Sequence, residues 1–108
     1  MLHYDYLVLA TGTRPRQLPL LGLELDGVMS LRTLADARKL RDSLAKVRNV
    51  VIIGGGFIGL ELASTARTLG KDVTVLEHTP RVLGRSVAPL VSDYIANIHR
   101  ENGIKIET

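Results

Sequence analysis

The chain has 108 residues, 45% of them hydrophobic, with 14 basic against 11 acidic side chains, a net charge of +3 and no cysteine. That length holds one modest core and sits at the small end for an independent domain. The lack of cysteine excludes a disulfide framework, a thiolate metal site and a cysteine nucleophile within these residues, and scattered positive charge without interleaved aromatics argues against nucleic-acid binding.

The opening residues Met1-Leu2-His3-Tyr4-Asp5 lack the basic and apolar regions of a signal peptide. The longest apolar run, residues 50–60, is too short to cross a bilayer. A cytoplasmic protein without membrane contact is expected. In chain order, residues 4–10 (Tyr-Asp-Tyr-Leu-Val-Leu-Ala) are apolar and β-branched enough for a buried strand, which Thr11-Gly12 stops. Pro15 and Pro19 oppose helix and central strand alike, so residues 13–20 read as a crossing linker. Thr33 is placed to cap a helix, with Asp36 three residues on and Ala37, Leu40, Leu44 and Val47 at helical spacing. Arg38, Lys39, Arg41, Asp42 and Lys46 give that helix a wet face.

Residues 49–53 form a continuous apolar run ending in glycines, as expected of a parallel strand buried on both faces. Ile58, Leu62, Ala66 and Leu69 then recur at helical spacing as far as Gly70, a C-terminal cap. Residues 72–77 alternate into a second strand. Pro89 opens a last helix whose apolar stripe draws on Leu90 or Val91, Tyr94 or Ile95, and Ile98, and which Gly103 closes. Another strand is starting at residues 104–107, so a truncated domain is expected.

Gly54-Gly55-Gly56-Phe57-Ile58-Gly59 carries the chemistry. A G-x-G-x-x-G pattern alone is weak, but here an apolar strand precedes it, a helix pattern starts at Phe57, the unit has βαβ length, and the acidic Glu77 follows about 20 residues later at the end of the second strand. Gly54 permits the tight turn, Gly56 keeps a Cβ out of the path of a pyrophosphate, and Gly59 lets the helix approach the strand. The helix N-terminus then presents free N–H groups and positive potential to two phosphates. A carboxylate at Glu77 suits ribose hydroxyls and repels a 2′-phosphate, and His78 and Thr79 bring no arginine to reverse that choice, which selects NADH over NADPH. Glu61 reads as lying in the first turn of the helix, either as an ordinary partner of the helix dipole or as an acceptor for the nicotinamide carboxamide. His3, His78 and His99 show no metal-ligand spacing, and no nucleophile elbow is present, so neither a metal site nor a catalytic side chain is assigned.

Beyond these residues, Thr11-Gly12-Thr13-Arg14-Pro15 after the first strand, Ser30-Leu31-Arg32-Thr33, Ala66-Arg67-Thr68-Leu69-Gly70, Pro80-Arg81-Val82-Leu83-Gly84-Arg85 and His99-Arg100-Glu101-Asn102-Gly103-Ile104 resemble stretches of the two-dinucleotide flavoprotein reductases of the pyridine nucleotide-disulfide oxidoreductase superfamily. The resemblance covers nearly the whole chain and is strongest to the NADH-dependent ferredoxin, putidaredoxin and rubredoxin reductases. It implies an α/β fold: a Rossmann-like βαβ unit, a parallel sheet flanked by helices, forming an incomplete nicotinamide-binding domain. Residues 1–24 would be the end of a flavin-binding domain and the linker, and residues 25–108 the nicotinamide domain. By the same resemblance Thr11, Gly12 and Arg32 would lie near FAD, while Gly54, Gly55, Gly56, Phe57, Ile58, Gly59, Glu61, Glu77 and Arg85 would hold NAD(H). The implied parent enzyme passes hydride from NADH to FAD and single electrons to a ferredoxin or rubredoxin-type partner, and the fragment alone would be inactive. A coenzyme A-disulfide or disulfide reductase relative, and a nucleotide-binding module without activity, remain open alternatives.

Overall fold

The computed structural model describes residues 1–108, which divide into two compact units, Met1–Arg41 and Asp42–Thr108. In the first unit, residues 1–33 contain no helix or strand. The strand expected at residues 4–10 does not form: Tyr6 and Val8 are 92% and 86% exposed. A lone strand leaves its N–H and C=O groups unpaired, and no strand of this chain pairs with it. Residues 22–28 instead make turns, with Leu25 N–H donating to the Gly22 carbonyl at 3.2 Å and Val28 N–H to the Leu25 carbonyl at 3.1 Å.

The first helix, α1, runs Leu34–Leu44 and begins where the capping pattern places it. Asp36 N–H donates to the Thr33 hydroxyl at 3.2 Å, and the Asp36 carboxylate accepts from Thr33 N–H at 2.8 Å and Arg32 N–H at 3.1 Å. This reciprocal pair satisfies donors that the helix itself cannot. Of the expected apolar stripe only Leu44 is buried; Leu40 is half-buried, and Ala37 and Val47 are exposed.

The second unit is an α/β layer. Strands β1 (Asn49–Ile53), β2 (Asp72–Leu76) and β3 (Lys105–Glu107) pair in parallel in the order β1-β2-β3, with Ile52 opposite Val75 and Val75 opposite Ile106. Helices α2 (Phe57–Thr68) and α3 (Pro89–Glu101) make the two crossovers. Alternation along the strands sends Ile52, Val73 and Val75 to one face, where they are buried. Leu60 of α2, Ala96 of α3 and the loop residues Val82 and Leu83 form the adjoining core, with Ile106 packed against it. The other face is open: Val51 and Ile53 are 63% and 56% exposed, so β1 is not buried on both faces as its composition suggests.

The helix stripes also differ from the sequence reading. On α2 the buried positions are Leu60, Ala63 and Ala66, while Ile58 and Leu69 are exposed; on α3 they are Ser92 and Ala96, with Leu90 and Tyr94 exposed. Small residues face the sheet because they allow close approach, which spacing among large apolar residues does not reveal. Ser92 is buried without loss, since its hydroxyl donates to the Val82 carbonyl at 2.6 Å. No helix is long and apolar enough to cross a membrane.

Both long helices end at left-handed glycines, Gly70 (φ 76°) and Gly103 (φ 82°). Lys71 N–H reaches the Ala66 carbonyl and Ile104 N–H the His99 carbonyl, the six-residue return of a Schellman motif. A Cβ at Gly103 would also press on the Arg67 guanidinium at 2.8 Å. Gly103→Ala should therefore lose about 1–2 kcal/mol of stability, read as a lower urea midpoint at unchanged slope.

Candidate functional site

The site grows out of the β1–α2 junction. Gly54 continues the sheet, its N–H donating to the Leu76 carbonyl at 2.8 Å, and then turns the chain at φ 111°, a conformation that side chains resist. Gly55 is buried and held at both ends: its N–H donates to Glu77 Oε2 at 2.7 Å, and its carbonyl accepts from Leu83 N–H at 2.9 Å. A Cβ on Gly55 would meet the Val82 side chain at 2.8 Å, and one on Gly59 would collide with the Gly54 carbonyl oxygen. A backbone angle at Gly54 and packing at Gly55 and Gly59 thus account for three of the four glycines.

Gly56 differs. Its backbone is extended (φ −80°, ψ −178°), a conformation any residue adopts, and a Cβ there would meet nothing within 4 Å. Gly56 is also the N-cap of α2, which carries no side-chain cap and no acidic residue in its first turn. Ser, Thr, Asp or Asn would serve the helix better at that position. A bare N-cap facing open space fits a turn kept clear for an anionic ligand, to which the first-turn N–H groups and the helix dipole would be complementary. Phe57 and Ile58 flank this terminus and are both exposed.

Glu77 lies just beyond the end of β2, as expected, but its carboxylate is already engaged. Oε2 takes the Gly55 N–H, and Oε1 takes both the N–H and the hydroxyl of Thr79 at 2.8 Å each. Burial works to raise its pKa, yet the amide and hydroxyl donors of Thr79, Gly55 and His78 together outweigh it and hold the group below its ordinary value. Thr79, uncharged, is a site residue that the sequence reading of Glu77 and its neighbours does not include. Its signal is the spacing: a hydroxyl residue two positions after an acid can bond back to it locally.

The loop after Glu77 is tied to the glycine turn through Leu83, which sits at φ 54° and is buried. Arg81 braces this loop, donating to the carbonyls of Val87 and Gly84 at 2.9 Å each. Arg85 is exposed on the same braced segment. Glu61 corrects the sequence reading: with Phe57 as the first helical residue it falls in the second turn of α2, exposed, beyond the positions that complement the dipole. Thr11, Gly12 and Arg32 belong to the first unit and are all exposed. Residues 1–20 are exposed throughout. No group of His, Asp and Glu side chains could hold a metal ion. His99, which shows no metal-ligand spacing, ties the helices, with ring nitrogens 2.9 Å from the Ile95 carbonyl and 3.3 Å from that of Leu60.

The family model described as pyridine nucleotide-disulphide oxidoreductase matches residues 1–108. The ferredoxin–NAD(+) reductase component of a 3-phenylpropionate/cinnamic acid dioxygenase from Photorhabdus laumondii is 45% identical over 96% of this chain and 26% of its own length. A rubredoxin–NAD(+) reductase from Ectopseudomonas oleovorans is 45% identical over 96% of this chain and 27% of its own. The solved ferredoxin reductase of the CYP199A2 system from Rhodopseudomonas palustris superposes with a TM-score of 0.90 at 45% identity, over 96% of this chain and 26% of that one. The chain therefore spans about a quarter of the length of these relatives.

Because Glu77 is charged below its ordinary range in the folded protein, its bonds to Gly55 and Thr79 stabilise the fold above the unfolded glutamate value and are lost as pH falls through the lower native value. Acidification across that interval should lower the urea midpoint of the unmutated chain more steeply than that of Glu77→Gln. Parallel curves would show that the carboxylate gains nothing from the turn.

Proposed function

The chain belongs to the pyridine nucleotide-disulphide oxidoreductase family, and on that premise we propose that its residues 25–108 are the NAD(H)-binding part of an FAD-dependent NADH reductase that serves a ferredoxin or rubredoxin-type electron acceptor. The observation that carries the reading is Gly56: a glycine that protein packing does not require, at an uncapped helix terminus. In this reading the N–H groups at Gly56, Phe57 and Ile58 bind the pyrophosphate, Gly54, Gly55 and Gly59 shape the turn, and Glu77 accepts from the adenosine ribose. Glu61 and Arg85 lie toward the remaining parts of the dinucleotide. A 2′-phosphate would meet the charged Glu77, which favours NADH over NADPH.

Residues 1–24 are read as the end of a flavin-binding domain and its linker, and residues 25–108 as the nicotinamide domain, with Thr11, Gly12 and Arg32 among the flavin contacts. Bound FAD would supply the hydride-accepting and one-electron chemistry; the residues of this chain orient the donor and need not move a proton. A cytoplasmic, reducing location suits that chemistry. The names of the relatives, reductases of ferredoxin and rubredoxin, favour this reading over a disulfide reductase.

Calorimetric titration of the 108-residue chain should give tighter binding of NADH than of NADPH, with the difference narrowed in Glu77→Ala; equal affinities in the unmutated chain would refute the role of Glu77. Gly56→Ser separates ligand from fold. Serine is at least as good an N-cap as glycine, so stability should hold or rise by a few tenths of a kcal/mol, while NADH affinity falls about tenfold or more because the new side chain and its hydrogen bond occupy the anion's place. Unchanged affinity would remove the main support for the site.

A further inference from the structure

Glu77 is held at both oxygens: the Gly55 N–H donates to Oε2, the N–H and hydroxyl of Thr79 donate to Oε1, and the His78 N–H adds to their pull on the carboxylate. Both directions of Oε1 go to Thr79. One direction of Oε2 goes to Gly55, and neither donor of Thr79 uses that oxygen. The Thr79 hydroxyl has one proton and two oxygens near it, Glu77 Oε1 at 2.8 Å and the Arg81 carbonyl at 3.0 Å. The nearer acceptor is also the charged one, so the proton goes to Glu77. The Arg81 carbonyl is itself placed by a loop whose guanidinium brace fixes Gly84 and Val87.

Remove that hydroxyl, and only the Thr79 N–H restrains Oε1. The terminal torsion of a glutamate is broad, so with one bond fewer the carboxylate is held less firmly about it. We propose that Thr79 is a positioning residue for dinucleotide selectivity: by occupying one oxygen of Glu77 with both its hydroxyl and its N–H, it leaves the other, beside Gly55, as the acceptor offered to the ribose. This rests on the reading of the glycine turn as an NAD(H) site. Thr79 touches no ligand in this scheme; it acts through Glu77 alone. It is a selectivity element that carries no charge.

The test uses the 108-residue chain with Thr79→Val, Thr79→Ala and Thr79→Ser, each confirmed as folded by circular dichroism. Two quantities are read: the ratio of NADPH to NADH dissociation constants, and the acid titration midpoint of the Glu77 carboxyl carbon by 13C resonance without ligand. Thr79→Val and Thr79→Ala should lower the ratio by about tenfold, the scale of one hydrogen bond to a charged group, and raise the midpoint. Thr79→Ser should restore both. A midpoint that moves while the ratio holds overturns the selectivity role, and so does a ratio that serine fails to restore. If the unmutated chain binds neither dinucleotide, the site reading itself falls and takes this proposal with it; that result is distinct from failure of the proposal alone, in which NADH binds normally and the ratio is indifferent to residue 79.

Discussion

Gly55 is gripped from both sides, its N–H by the Glu77 carboxylate at 2.7 Å and its carbonyl by Leu83 N–H at 2.9 Å, and the geometry of the turn follows from that grip. The β1–α2 junction and the loop that follows β2 are thereby locked to each other. Any residue larger than glycine at position 55 would drive Val82 away and open the junction. An anion-binding helix terminus is useful only if its N–H groups stay aligned before the ligand arrives, because alignment made on binding costs affinity. Here the alignment is built in by a buried amide, a partly buried carboxylate and one leucine held in a left-handed conformation.

That leucine connects the site to the core. Leu83 is nearly fully buried beside Leu60, Val82 and Ala96, so the backbone strain of its positive φ is offset by apolar burial and by the bond to Gly55. Ser92 reinforces the arrangement from α3 by binding the Val82 carbonyl. The loop carrying Arg81 and Arg85 therefore behaves as part of the core rather than as a surface connection, although its sequence, with one proline and one glycine over residues 80–85, has the composition of an ordinary turn. The core covers a single face of a three-stranded sheet, and Val51 and Ile53 stay in contact with solvent on the other.

Elements whose instructions are local were legible in the sequence. Thr33 and Asp36 marked the start of α1, Gly70 and Gly103 marked the ends of α2 and α3, and the glycine turn announced itself between an apolar strand and a helix. Each of these depends on atoms within a few residues of one another. The misread features depend on neighbours distant in sequence. Residues 4–10 have every property of a strand except a partner to pair with, and β1 has the composition of a doubly buried strand but only one covered face. The buried faces of α2 and α3 turned on where small residues, Ala63, Ala66, Ser92 and Ala96, let the helices come close to the sheet.

The candidate site shows the same division. Residue order alone determined the turn, the helix whose N-terminus it exposes, and the presence of an acid at the end of β2, because a βαβ unit with this spacing admits little else. Tertiary structure decided what that acid does: folding brings Gly55 and Glu77, 22 residues apart, within 2.7 Å, and gives the carboxylate to the turn and to Thr79. It also decided which glycine is spare. Gly54, Gly55 and Gly59 are each explained by a backbone angle or a neighbour, and Gly56 is left bare with nothing of the protein against it. A sequence states that side chains are absent; only packing tells whether the protein itself needs them to be.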